Sequence, residues 1–333
     1  MTELKNIPLS VLDLALREHG QSNADAVHTA VENAQAAERL GYTRYWFAAH
    51  HGLPNSTASQ PPILIGAAAN ATTTLRVGSG PVLLPIYSPL AVAEQFGTLT
   101  ALHGDRIDLG LGRSSGGFPT RAIRGHRGAT SYSRDVLDLL GLFQGGLPPD
   151  NPMSQVLAVP GYGDAPETWL LGSGSGFSAQ LAGTLGLPFA YAHHFAPDHT
   201  EEILDVYRGA FTPSHYLEKP HVMVTTMLVA GDTPEAVRAE SMTTDITHLA
   251  LLRGERPEPV NVEKALARRL STQEREALAK HHARQAIGTP DEVEVHLRAL
   301  LASTGADELM LQLVASTAAG RVRSLEIAQR LTV

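Results

Sequence analysis

A chain of 333 residues has room for two ordinary domains or for one (β/α)8 barrel, so the order of its elements must decide between them. Its 34 acidic and 26 basic residues give a net charge of −8 with no dense Lys/Arg block, which argues against a surface built for a phosphate backbone; no nucleic-acid partner is expected. The absence of cysteine excludes disulfides and thiolate metal sites, and no apolar run approaches the roughly 20 residues of a membrane-spanning helix. Met1 to Asn6 is polar and lacks the apolar core of a signal peptide, so a cytoplasmic protein without a membrane partner is expected.

Short β-type runs alternate with helix-type segments along the whole length, the pattern of parallel βα units. The first strand is read at Ile7 to Asp13, followed by an amphipathic helix from Asn23 to Leu40 that Gly41 stops. Arg44 to Ala49 is the second strand, Pro61 to Ala71 an apolar helix, and Leu75 to Gly80 the third strand; Pro89 opens the third helix. Strand four, Arg106 to Leu111, has the continuous apolar character of a strand buried on both faces and runs into a glycine-rich turn through Gly117. A helix at Tyr132 to Phe143, strand five at Thr168 to Leu171, a helix at Phe177 to Leu185 and strand six at Phe189 to His193 follow. Then come a helix at Pro197 to Ala210, strand seven at Val222 to Ala230, a long helical region to Gln285 and a helix from Gly288 to Ser303. Strand eight at Glu308 to Val314 and a helix from Arg321 to Leu331 close the ring. No composition break marks a linker, so residues 1–333 read as one (β/α)8 TIM-type barrel domain with insertions after strands four and seven.

In such a barrel the chemistry sits at the C-terminal ends of the strands. Strand two ends in His50 and His51, two imidazoles able to act as base or donor near neutral pH, or simply to hydrogen-bond the neighbouring loop. Arg113, in the turn after strand four, is the obvious anion ligand. A second turn, Gly172-Ser173-Gly174-Ser175-Gly176, opens a helix with free amides and hydroxyls; two such turns can grip one phosphate, although each alone can also be a plain connector. Asp13 can hold a ligand's polar edge or cap the next loop. His193 and His194 end strand six, and four mouth histidines raise a metal-hydrolase reading, but strand eight offers no late carboxylate, so no metal is expected. Glu94 and Arg106 are read as a buried ion pair beneath the site.

Several segments resemble the luciferase-like flavin-dependent monooxygenases, specifically the short single-chain bacterial members. They include Leu9-Ser10-Val11-Leu12-Asp13-Leu14, Arg44-Tyr45-Trp46-Phe47-Ala48-Ala49-His50-His51 and Val77-Gly78-Ser79-Gly80-Pro81-Val82-Leu83-Leu84-Pro85. Ala93-Glu94-Gln95-Phe96, Gly104-Asp105-Arg106-Ile107-Asp108-Leu109-Gly110-Leu111-Gly112-Arg113, Trp169-Leu170-Leu171-Gly172-Ser173 and Ala192-His193-His194-Phe195-Ala196-Pro197 add to it. The resemblance implies that His50 assists chemistry at a flavin, that Arg113 binds the flavin phosphate, and that Ser175 and Ser178 lie near its other ligands, with Ser173 and Gly174 in the same turn. It also implies a cis peptide at Gly80-Pro81 under the isoalloxazine ring. Ala49 stands where the family usually has Glu, which removes an orienting partner for the imidazole.

The implied chemistry uses reduced FMN, delivered by a separate flavin reductase, and O2 to oxygenate a small aldehyde or ketone, with His51 and His194 lining the acceptor pocket. A reductase is implied because no dinucleotide fingerprint with a following acidic residue is present. The same barrel with a deazaflavin coenzyme would instead transfer hydride, and a flavin-binding protein without turnover is a third reading. A homodimer is expected.

Overall fold

The computed structural model describes residues 4–113 and 131–332. The part of the first glycine-rich turn from Ser114 to Gly117 lies outside the described residues.

The elements run β1 (Leu9–Asp13), α1 (Asn23–Leu40), β2 (Arg44–Phe47), α2 (Pro61–Ala71), β3 (Arg76–Leu83), α3 (Pro89–His103), β4 (Ile107–Gly112) and α4 (Tyr132–Gln144). Then follow β5 (Glu167–Gly172), α5 (Phe177–Leu185), β6 (Phe189–Tyr191), α6 (Thr200–Ala210), β7 (Val222–Ala230), α7 (Pro234–Glu240) and α8 (Met242–Leu252). The chain ends with α9 (Val262–Leu266), α10 (Thr272–His282), β8 (Ala286–Gly288), α11 (Pro290–Thr304), β9 (Glu308–Leu313) and α12 (Ala318–Arg330). Local chemistry sets several boundaries. Ser22 accepts from Asp25 N at the start of α1, and Gly41 ends that helix in the left-handed region at φ 84°. Thr289 and Glu292 form a capping box with Pro290 at the first turn of α11.

All the strand pairings are parallel and the sheet closes on itself: β1 to β7 pair in sequence, β7 pairs β9, and β9 pairs β1. The result is a (β/α)8 barrel of eight strands, and the three-residue β8 only extends it by pairing with Leu228 to Ala230 of β7. That ninth strand was not anticipated, because three residues before a proline-started helix carry no periodicity to read. Strand two stops at Phe47 and strand six at Tyr191, each two residues earlier than expected, so both histidine pairs sit on the loops leaving the barrel. Among the described residues no helix is long and apolar enough to cross a membrane.

The period of two divides the strand residues between two cores. Val11, Tyr45, Val77, Leu109 and Leu170 join the main core between sheet and helices, while Leu12, Trp46, Trp169, Ala190, Met223 and Met310 form a separate cluster within the barrel. At the N-terminal end of the barrel lies a charged plug. Arg44 reaches Asp108 and Glu167 at 3.0 Å each and Glu308 at 3.2 Å, and Arg76 reaches Glu167 at 2.8 Å. The Trp46 indole donates to Asp108 at 2.9 Å and the Trp169 indole to Glu167 at 2.8 Å, so the two rings, edge to face at 5.4 Å, hang from the plug.

The expected pair of Glu94 and Arg106 is not formed. Glu94 is exposed on α3, and Arg106 donates instead to Ala69 O, to Thr72 O and Oγ1 and to Leu75 O, the latter three at 3.1 Å. The guanidinium therefore satisfies carbonyls left open where α2 ends, work that a carboxylate could not share.

Candidate active site

At the C-terminal end of the barrel the strand ends and loops enclose a cavity of about 900 Å3. Leu12 and Met310 of the inner cluster form part of its lining, and Ala48, Gly80 and Gly112 keep its wall thin. Glycine fits closely at position 80, where a Cβ would stand 2.6 Å from Leu12 Cδ1 and 3.2 Å from Trp46, so that both side chains would have to give way. The Gly80-Pro81 bond is cis, as expected, and the register with β4 shifts between Ser79 and Val82.

His50, His51 and His194 all line this cavity. His50 is anchored by its backbone N–H to Ala58 O at 3.0 Å, and its Nδ1 lies 3.3 Å from Ala48 O. A carbonyl only accepts, so this contact assigns the proton to Nδ1 and leaves the Nε2 lone pair available. Burial lowers the His50 pKa; the Ala48 carbonyl opposes that shift and His51 adds to it. His194 repeats the arrangement, with Nδ1 3.3 Å from Thr225 O. The His51 Nε2 is buried and has no hydrogen-bond partner among the described residues.

Burial pushes the His194 pKa down to about 3 from an ordinary 6.5, against the pull of the Thr225 carbonyl. Between those values the unfolded chain binds the extra proton and the folded chain does not, so this group's contribution to stability is lost as pH falls from 6.5 towards 3. At about pH 5 the loss relative to pH 7 amounts to about 2 kcal/mol. His194→Gln is expected to flatten the acid side of a urea-unfolding series run between these pH values. An unchanged slope would show that His194 takes up its proton without unfolding.

The cavity is also lined by Gly112 and Arg113 after β4 and by the glycine-serine turn after β5. The Arg113 guanidinium donates to Ser175 Oγ at 3.2 Å and stacks on Phe177 with 4.6 Å to the ring centroid. α5 begins at Gly176, in the left-handed region at φ 64°, with no side chain capping its first turn. Ser173, Ser175 and Ser178 line the cavity here; Gly174, at φ 70°, turns the chain without lining it. A guanidinium, three hydroxyls and an uncapped helix start form a donor set suited to a dianion.

Asp13 does not reach the cavity. It points outward from β1, where it accepts from the Tyr45 hydroxyl and from Ala15 N at 2.8 Å, because Leu12 takes the inward position. His193 also turns away, its Nδ1 2.7 Å from Thr200 Oγ1 and its Nε2 3.2 Å from Arg284 O. Among the described residues no group of three His, Asp or Glu side chains could hold a metal ion. The sequence reading missed Gln312, a 2% exposed strand-end residue whose Oε1 has no partner among the described residues, and Arg256, which enters from the loop after α8. Alternation in β9 could have found Gln312, since it shares an inward register with Leu12.

Residues 9–308 match the profile of the luciferase-like monooxygenases. The chain belongs to that family. A luciferase-like monooxygenase of Escherichia coli K12 is 39% identical over 331 residues, covering 97% of this chain and 96% of that one. The crystal structure of apo-MsnO8 aligns with a TM-score of 0.86 at 31% identity over 98% of each chain. At 18% identity, the oxygenating constituent of 3,6-diketocamphane monooxygenase from Pseudomonas putida, solved with FMN, shares the fold with a TM-score of 0.72 over 98% of each chain. An F420-dependent secondary alcohol dehydrogenase shares it at 16% identity and 0.67, again over 98% of each chain. As a luciferase-like monooxygenase it is an oxidoreductase that incorporates molecular oxygen.

Proposed function

We propose that the enzyme binds FMN in the cavity, receives it reduced from a separate flavin reductase, and uses it with O2 to oxygenate a small organic substrate of the aldehyde or ketone type. The observation carrying this reading is the meeting of Arg113 with Ser175 at the uncapped start of α5, at one end of a deep and mainly apolar cavity. When bound, reduced flavin supplies the electrons that activate O2.

The protein's own groups do the rest. Arg113, Ser173, Ser175 and Ser178 hold the phosphate. Gly80, lacking a Cβ, and Pro81 offer a smooth wall for a flat ring, and the buried Gln312 carboxamide supplies a polar contact for its edge. Leu12, Leu53 and Leu171 exclude water from the reacting end. His50 takes or returns a proton through Nε2, and His51 and His194 border the acceptor substrate.

Arg113→Ala is expected to weaken FMN binding about 10- to 100-fold, the worth of one or two charge-assisted hydrogen bonds. Quenching of flavin fluorescence during titration measures this. Wild-type binding weaker than about millimolar would sink the FMN reading. Tighter binding of a deazaflavin coenzyme in a parallel titration would move the reaction to hydride transfer.

A further inference from the structure

We propose that Arg256 forms an anion subsite within the cavity and that the acceptor substrate is a small apolar molecule carrying a carboxylate. This rests on the reading above, in which the Arg113 end is taken by the cofactor phosphate.

The argument begins with charge. The chain carries a net −8, yet among the described residues the cavity lining includes two guanidiniums, Arg113 and Arg256, and neither Asp nor Glu. Ala49, which stands in that lining, contributes a methyl group and no charge. A lining of that kind in an acidic protein favours an anion and repels none. Arg113 is committed to Ser175 and to the face of Phe177. One positive charge is then left over.

Arg256 is that charge. Two of the acids around it are engaged elsewhere, Glu255 with Arg253 at 2.9 Å and Glu274 with Arg253 at 3.5 Å and with Arg268, while Glu258 lines the neighbouring groove without pairing with Arg256. Arg256 itself has no hydrogen-bond or ion-pair partner among the described residues. It also stands where the cavity meets a second groove of about 570 Å3, lined by Arg253, Lys264 and Arg268 as well as by Glu255 and Glu258. An exposed guanidinium gains little from a solvated partner, but one covered by a bound ligand forms a forked pair with a carboxylate at much lower dielectric.

Size and polarity complete the substrate class. Clefts for a single drug-sized ligand run from about 300 to 1,000 Å3, so this cavity, at about 900 Å3, lies near the top of that range and leaves room for an acceptor beside a cofactor. Leu53, Ala49, Ile203 and Phe195 give the remaining lining an apolar character, matched by a short hydrocarbon body.

Octanoate and octan-1-ol serve as probes, since they share a chain and differ in the charged head. Calorimetric titration of the FMN-loaded wild type is expected to give a Kd about tenfold lower for octanoate, the effect of one charge-assisted contact. Arg256→Gln is expected to erase that preference and Arg256→Lys to keep most of it, while FMN affinity changes by less than about twofold in both. Equal binding of the two probes to wild type, or a preference that survives Arg256→Gln, overturns the proposal. A fall in FMN affinity in Arg256→Gln as large as that in Arg113→Ala also overturns it, by assigning Arg256 to the cofactor phosphate. The same titrations on unloaded protein separate the two questions: failure of FMN to bind strikes the cofactor reading alone, and the octanoate preference still reports on Arg256.

Discussion

Replacing Arg44 with Met is expected to destabilise the fold by about 3–5 kcal/mol, the cost of removing one partner from a buried ion pair. Its side chain is 9% exposed and touches Asp108 and Glu308, which are 0% and 2% exposed, so solvent screens neither contact. Glu167 is 39% exposed and contributes less. After the substitution Arg76 still reaches Asp108 and Glu167, but Glu308 keeps only Ser10 and a distant His221 at 3.8 Å. Burial opposes the charge of Glu308, and His221, Arg44 and Ser10 together hold its pKa below the ordinary carboxylate range. Loss of Arg44 therefore leaves a charge with no water to solvate it. A urea-unfolding midpoint measures the effect, and a loss under about 1 kcal/mol would mean that the plug is hydrated or protonated. Because Arg44 also lies 4.8 Å from the Trp169 ring, the same variant should loosen the floor beneath the cavity, seen as a change in tryptophan emission.

That plug illustrates what a single sequence leaves unread. Asp108, Arg44 and Glu308 stand in strands distant from one another, and only the barrel's closure through β9 and β1 brings them together. The pairing of Glu94 with Arg106 failed for the same reason: proximity in sequence hid the carbonyls at the end of α2, which lie closer to Arg106 than any carboxylate of α3. By contrast α1, α2 and β7 were legible end to end, because Ser22 and Gly41, Pro61, and the unbroken apolar run from Val222 are local signals. At the site, His50, His51, Arg113, Ser173, Ser175 and Ser178, all named from their positions at strand ends and the turns after them, line one cavity. It misplaced Asp13, since rank at a strand end says nothing about which face the residue takes until the period-two alternation is counted from Leu12. Arg256 was out of reach, because it lies on the loop between α8 and α9, outside the barrel repeat, and no periodicity shows that this loop returns to the cavity.

The second large effect expected is at His50, where replacement by Ala should lower turnover about 100-fold while FMN affinity stays within about twofold, in keeping with the worth of a positioned acid or base. The absence of an acidic residue at position 49 does not leave the ring without orientation, because the Ala48 carbonyl lies 3.3 Å from Nδ1 and fixes the tautomer that a carboxylate would otherwise fix. A carbonyl carries no full charge, however, so it orients the ring without holding a proton on Nε2, and burial lowers the pKa further. The neutral form of His50 is thereby favoured, able to accept a proton at Nε2 and to release it readily. Turnover should accordingly fall on the acid side only as pH drops below the usual imidazole range of about 6.5, and the His50→Ala variant should lose that limb. Steady-state rates across pH, set beside FMN titrations of the same two proteins, separate the alternatives. Equal losses in binding and turnover would make His50 a wall of the cofactor site, and an acid limb retained in His50→Ala would move proton transfer to His194, whose Nε2 is held free in the same way by Thr225.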